Sequence, residues 1–396
     1  MRVVSIVALS IAIAPALGHA EDGGTSTPPV APATATPVVG GSDAPTGKWP
    51  DAAAVLFNGQ QECTGTLIAP TVALTAGHCN DTTLKGILVG TNSLDRVADG
   101  EVLPVSKRIE HPTADITVLV LGQASRIVPR AVATGWARVD IKNGAAVAIV
   151  GYGAIDRNAS QSKAALQEAV STITDFNCSQ KAGCQAGELG AGGNGIDSCN
   201  GDSGGPLYLM TDYGNFLVGV TSRAYDDATD ACGDGGIYAR PDQIVDFVEQ
   251  QTGVKIAHGP EPTAANIAAL RGDAGETAIQ ANDPKSDAHT FAITTPPAHA
   301  TARVRSDGSV RVCVNHDATP GDTDSLIVTV TDDHDPARAV PLKIPIGVSA
   351  DDAGGVCDVD AFGDLASGGC CDSGGGAAGG LPLSLFVALV LRRRNR

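Results

Sequence analysis

Between Val38 and about Gly253 the chain alternates short, β-branched apolar runs with Gly, Asn and Asp. AAAVLF, GTLIAPTVALT, GILVG, ITVLVLG and AAVAIVGYG are the clearest of these runs. Runs of this length, bounded by turn residues, predict an all-β barrel or sandwich rather than alternating βαβ units. One stretch breaks the pattern. PDQIVDFVEQQTG sets Ile244, Val245 and Val248 on one face, with Pro241 near its start and Gly253 as a stop. That spacing predicts a helix, and the helix closes the first domain. From about Pro260 the pattern becomes β again. HTFAITTPPAHATARVRSDGSVRVCV places Asp307-Gly308 between two alternating runs, a hairpin signal, and DSLIVTVTDD and AVPLKIPIGV supply further strands.

The two ends carry other patterns. Residues 1–20 set Arg2 before an apolar run from Val3 and end on Gly18-His19-Ala20, as a secretory signal does. Residues 21–37, EDGGTSTPPVAPATATP, lack apolar periodicity and read as an extended or disordered pro-segment. At the far end, a Gly- and Cys-rich stretch (351–380) leads into the apolar Leu381–Leu391 and the arginines of 392–394. That apolar core is shorter than the ~20 residues of a stable membrane helix. Arginines in that position would stay cytoplasmic.

Composition narrows the picture. A chain of 396 residues exceeds one core, so two or more domains are expected. Its net charge of -17 would repel phosphate backbones, which argues against nucleic acid as a partner. Export matters for the ten cysteines, because an oxidising compartment lets them pair. No CxxC pair and no HExxH occurs, so neither zinc nor any other cofactor is expected.

Three words carry chemistry: LTAGHC with His78, ADITVLVL with Asp115, and GDSGGP with Ser203. A serine hydroxyl is a poor nucleophile until a base takes its proton. An imidazole suits that task near neutral pH, and a carboxylate fixes its tautomer. Taken singly, each word has a bland reading: a structural histidine, a strand-capping aspartate, a glycine-rich turn. Together they stand in one predicted domain in the order His, Asp, Ser, the chymotrypsin order rather than that of α/β-hydrolases or subtilisin.

Across residues 38 to about 253 the chain resembles the trypsin/chymotrypsin-like (S1) serine proteases. VVGGSDAPTGKWP, LTAGHC, DITVLVL, DSCNGDSGGP and GGIYARP carry the likeness, in family order. The resemblance implies two six-stranded antiparallel barrels with a triad in the cleft between them. It implies Ser203 as nucleophile, His78 as general base and acid, and Asp115 as its orienting partner. The N–H groups of Gly201 and Ser203 would form the oxyanion hole. Ser222 would solvate the aspartate, and Asp202 would bind the amino group freed at Val38. Asp197 would face an Arg or Lys side chain from the pocket floor, with Ala224 and Gly236 in the pocket wall. The implied disulfides are Cys63–Cys79, Cys178–Cys184 and Cys199–Cys232. The chain departs from the family at Pro37, where a self-activating trypsin has Arg or Lys, and at Arg223 and Ala224, where Trp and Gly are usual. The stretch from Ser222 to Cys232 is longer than usual, and that from Cys232 to Tyr238 is shorter.

These readings divide the chain into a protease domain (38–257), a sandwich (258–350) that resembles Ig- or cadherin-like repeats, and a tail (381–396). The tail resembles the C-terminal sorting tails of myxobacterial surface proteins, in which Cys370 and Cys371 would lie just before the processing signal. The pairing of Cys313, Cys357, Cys370 and Cys371 stays open, with Cys313–Cys357 one choice. The acidic turns DDHD and GDTDS read as solvated rather than calcium-binding. The expected protein is an exported serine endopeptidase, at the cell envelope or outside the cell, that cuts protein and peptide substrates after Arg or Lys. A transient contact with membrane or sorting machinery goes with the tail. The sequence leaves two rivals open: an unactivated protease fold that serves as a surface binding protein, and an active protease of non-tryptic preference. It leaves the oligomeric state open too.

Overall fold

The computed structural model describes residues 37–321 and 323–363. The expected signal, nearly all of the pro-segment, the tail, Cys370 and Cys371 lie outside the described residues. Six strands form the first barrel: β1 (Ala52–Phe57), β2 (Gln60–Ala69), β3 (Val72–Thr75), β4 (Leu84–Val89), β5 (Glu101–Glu110) and β6 (Thr117–Leu121). They close antiparallel in the order β1-β2-β3-β6-β5-β4. AAAVLF is apolar on both faces because both are covered. Ala53, Val55 and Phe57 fill the barrel, while Ala52 and Ala54 pack outward with Ile68, Tyr152, Tyr208 and Val220. That outward layer joins the barrels.

The second barrel consists of β7 (Ala146–Gly151), β8 (Gln167–Asp175), β9 (Glu188–Ala191), β10 (Pro206–Thr211), β11 (Gly214–Ala224) and β12 (Gly236–Ala239). Its order is β8-β9-β12-β11-β10-β7, closed by β7 on β8, and a two-residue strand, Ser42–Asp43, adds to the β8 edge. Between the barrels, buried Asp51 accepts a 2.6 Å hydrogen bond from the Tyr208 hydroxyl and pairs with Arg130, while Trp49 stacks on Tyr208 at 4.4 Å. Besides the irregular segment Pro37–Gly40, the described residues form two short helices, α1 (Gly135–Val139) and α2 (Val245–Thr252). Ile244, Val245 and Val248 face the core, and Gly253 ends α2 at φ 69°. Only glycine takes that left-handed cap at no steric cost.

The C-terminal strands are β13 (Ile267–Arg271), β14 (Ala274–Ala278), β15 (His289–Thr295), β16 (Ala300–Val304), β17 (Ser309–Val314), β18 (Thr323–Asp332) and β19 (Ala339–Asp352). They make a sandwich of two sheets, β13-β19-β18-β15 and β14-β17-β16. Asp307-Gly308 forms the turn between β16 and β17. The sandwich reaches past the expected boundary at 350, because β19 continues to Asp352 and a disulfide ties Cys313 to Cys357.

The sandwich is no free bead on a string. Trp136 of α1 is wholly buried in the sandwich core with Ile267, Val310, Val328 and Ile346, and its indole N–H donates to Ala281 O at 2.7 Å. Beside it, Asp140 meets Arg338 at 2.6 Å and Lys285 at 3.0 Å, and accepts from Tyr213 at 2.7 Å. A tryptophan on the barrel side thus completes a core that the sandwich strands alone leave open.

Candidate active site

His78 sits in a one-turn 3₁₀ segment, Gly77–Cys79, which the Cys63–Cys79 disulfide ties to β2. Its ring Nδ1 lies 3.0 Å from Asp115 Oδ2, and its backbone N–H donates to Asp115 Oδ1 at 2.9 Å. A glycine is needed at 77, because a Cβ there would stand 2.8 Å from Asp115 Oδ1. Ser222, at the end of β11, donates from Oγ to Asp115 Oδ2 at 2.6 Å. Burial pushes the Asp115 carboxyl up, but the hydrogen bonds from His78 and Ser222 outweigh it and hold the group at about 2. His78 answers in the other sense. Its hydrogen bond to Asp115 raises its pKa above the ordinary 6.5, against a smaller opposing effect of burial.

Ser203 lies against the His78 segment. Its carbonyl accepts from Thr64 N–H at 2.9 Å, and the next residue, Gly204, packs so tightly that a Cβ would come within 2.2 Å of Thr75 Oγ1 and 2.4 Å of Ala76 N. Among the described residues no hydrogen bond joins Ser203 Oγ to the His78 ring. Catalytic contacts are often long in unliganded sites and tighten with substrate. Gly201 adopts φ 96°, and its carbonyl accepts from Thr64 Oγ1 at 2.8 Å and Gln61 Nε2 at 3.1 Å. The amides of Gly201 and Ser203 find no acceptor among the described residues. Two unspent donors beside a serine hydroxyl are what a developing oxyanion requires.

Ser203, Ser222, Asp197 and Ala224 line one pocket of about 100 Å³, walled by Cys199 and Cys232. A disulfide joins Cys199 to Cys232, and another joins Cys178 to Cys184. Asp197 is 3% exposed, and its Oδ2 accepts from Gly233 N–H at 2.8 Å and Gly235 N–H at 3.1 Å. Burial raises its pKa to about 6, with those amides opposing. Gly236 lies beside it, where a Cβ would stand 3.4 Å from Asp197 Oδ1, and pairs with Ala224 across β11 and β12. Ala224 is exposed.

Asp202 points the other way, into the protein. It is fully buried, and accepts from Gly153 N–H at 2.7 Å and Cys199 N–H at 2.9 Å. No cation pairs with it among the described residues, and burial raises its pKa to about 7. Val38 is fully buried within the second barrel's core cluster, and Val39 O accepts from Asp197 N–H at 3.0 Å.

Several contributors escaped the motif reading. Gly151 and Gly153 are required by Asp202, whose Oδ1 would meet a Cβ at 2.0 Å and 2.7 Å respectively. Thr64 and Gln61 hold the Gly201 carbonyl, and Glu188 grips Arg223. A GYG word in a strand end is the one signal that hinted at the first pair. Nothing local marks the others. Cys178, Cys184 and Glu188 lie close enough to suggest a metal, but both sulfurs are in a disulfide and the carboxylate is engaged with Arg223. A larger cleft, about 450 Å³, separates α2 from the Ala339–Lys343 edge of the sandwich and includes neither His78 nor Ser203.

A family model described as Trypsin matches residues 38–248. Among curated relatives, serine protease 56 of Homo sapiens is 30% identical over 247 residues, covering 56% of this chain and 40% of that protein. Serine protease 56 of Mus musculus is 30% identical over 240 residues (54% and 38%). Transmembrane protease serine 9 of Rattus norvegicus is 29% identical over 242 residues (55% and 22%). The chain therefore spans less than half the length of these relatives.

Proposed function

The chain belongs to the trypsin family, and from that premise we propose that it is an exported serine endopeptidase that cleaves after Arg or Lys through an acyl-enzyme. Ser203 Oγ attacks the scissile carbonyl while His78 Nε2 takes its proton. Asp115 holds Nδ1–H and stabilises the imidazolium that forms. The amides of Gly201 and Ser203 receive the negative oxygen, each worth roughly 10²–10³ in rate. His78 then returns the proton to the leaving amine, and water repeats the sequence to release the acyl group. The observation that carries this reading is the convergence of the Asp115–His78–Ser222 bonds with two unspent amides at Ser203. A fluorophosphonate probe tests it. Wild type should be labelled on Ser203 and the His78→Ala variant should not. A chain that stays unlabelled after its pro-segment is removed would refute the reading.

Asp197 reads the substrate. A guanidinium or ammonium entering the pocket leaves water, and an opposing carboxylate on the floor offsets that cost. Asp202 is the switch. Cutting the Pro37–Val38 bond frees an ammonium next to a core in which Val38 is already seated. Val38 also holds φ 35°, which β-branched residues avoid, and the cut abolishes that torsion. Proline before the cut points to another protease as activator. Four disulfides among the described residues fit an oxidising destination. No described helix is long and apolar enough to cross a membrane. Sorting to the envelope falls to residues 381–396 on the strength of the Cys–apolar–Arg order of the C-terminus. The sandwich, of Ig-like type with β13 parallel to β19, serves as a docked buttress of the protease.

A further inference from the structure

Arg223 follows Ser222 on β11 and lines the same pocket as Asp197 and Ser203, with no role assigned to it above. Its Nη1 and Nη2 reach the two oxygens of the Glu188 carboxylate at 2.6 and 2.9 Å, and Nη2 also donates to Gly183 O at 2.6 Å. Such a fork fixes the plane of the guanidinium. Nη1 then lies 3.1 Å from Ser222 Oγ, which is itself 2.6 Å from Asp115 Oδ2. The direction of this chain is forced. A guanidinium only donates and an ionised carboxylate only accepts, so the Ser222 hydroxyl must accept from Arg223 and aim its single proton at Asp115. Ser222 is buried at 5% exposure, between the partly exposed side chains of Arg223 and Asp115.

We propose that Arg223, gripped by Glu188, is a positioning residue for the Asp115–His78 pair, orienting the Ser222 hydroxyl and setting the charge that the pair senses. The inference rests on the triad reading above. Asp115 acts on Arg223 through space as well, after the larger influences of the Glu188 hydrogen bonds and of burial. Other titratable groups lie around this hydrogen-bond chain, and Asp197 lines the same pocket as Arg223. His111 accepts the amides of Thr113 and Ala114 through Nδ1, Glu110 accepts from Asn80, and Asp197 accepts from Gly233 and Gly235. Asp226 packs over Gly183 and also acts on Arg223 through space. The Arg223–Glu188 pair is thus the charged unit linked by hydrogen bonds, through Ser222, to Asp115.

Two substitutions should move the pH profile in opposite senses. Arg223→Met removes a cation and leaves Glu188 anionic, so the imidazolium of His78 persists to higher pH. The acid limb of kcat/KM should rise by about half a pH unit, the scale of one charge acting through partly solvated protein. Glu188→Gln leaves Arg223 uncompensated, and the limb should fall by a similar amount. Arg223→Met should also lower kcat roughly tenfold through the loosened Ser222 bond, while Arg223→Lys, which keeps the charge, should leave the limb near its wild-type position. Profiles on a peptide with neutral citrulline before the scissile bond, whose cleavage does not draw on the Asp197 charge, with each enzyme counted by fluorophosphonate titration, provide the measurement. Labelled enzymes whose limbs stay put, or shift together in one direction, would overturn the inference and leave the triad reading standing. A wild type that takes no label would bring down the triad reading itself, and this inference with it.

Discussion

Replacing Asp197 by Asn keeps the side-chain volume and an acceptor for Gly233 and Gly235, and removes only the charge. The carboxyl's rise from an ordinary 3.8 to about 6 comes from its burial, which the Gly233 and Gly235 amides only partly offset. That rise corresponds to roughly 3 kcal/mol by which the pocket disfavours the bare carboxylate. An arginine side chain on the floor relieves this and adds a charge-assisted, forked hydrogen bond. Loss of the pair should therefore cost about 3–5 kcal/mol, or roughly 10²–10⁴ in kcat/KM. The assay compares two peptides that differ only in arginine or its neutral isostere citrulline before the scissile bond. At pH 8 the wild type should favour arginine by that factor, and the Asn variant should treat the two almost alike. The ratio carries a pH signature too. Protonation of Asp197 removes its charge, so the arginine preference should fall as pH drops through about 6. His78 cancels, since both substrates use it. A wild type that cuts both peptides within a factor of about three, or an Asn variant that keeps the preference, would refute Asp197 as the reader.

Mature active enzyme should begin at Val38 by N-terminal sequencing, and Asp202→Asn should keep the fold while losing most activity; full activity in a chain still starting at Glu21 would contradict this. In the uncleaved chain, Asp202 binds its proton more tightly folded than unfolded, so stability should fall as pH rises from 3.8 to about 7. Thermal melts at pH 5 and 8 should show that loss in the uncleaved wild type and a smaller one in uncleaved Asp202→Asn. Trp136→Ala empties the shared core and should destabilise the folded chain by about 3–5 kcal/mol in denaturant titration. Deleting residues 381–396 should move the protein from the cell envelope to the medium with hydrolysis intact, as fractionation would report.

How much was legible in the chain itself follows from what is local. The runs around Val55, Leu74, Ile87, Val118 and Ile149 specified β-strands through their length and their β-branched composition, and all lie in barrel strands. Val245, Val248 and Gly253 specified a helix with its stop, although Pro241 opens a separate 3₁₀ turn, Pro241–Gln243, rather than the helix itself. Asp307-Gly308 specified a hairpin, because capping and turn chemistry act over a few residues. The words around His78, Asp115 and Ser203 were equally readable as words. Their distances were not. Asp115 is 37 residues from His78, and Ser222 is 107 residues from Asp115, so strand pairing in the first barrel brings His78 to Asp115, and packing of the two barrels brings Ser222 to Asp115. The same holds for the grip of Glu188 on Arg223 and for the glycines that make room for the Asp202 carboxylate. Each depends on strands that meet through register and closure, and no local preference encodes those. Trp136 is the plainest case. Its sequence neighbours give it a short helix in the protease region, yet its side chain completes the core of the next domain. A side chain's burial is decided by whichever surface lacks apolar area in the folded chain, and that deficit exists only once both domains are built.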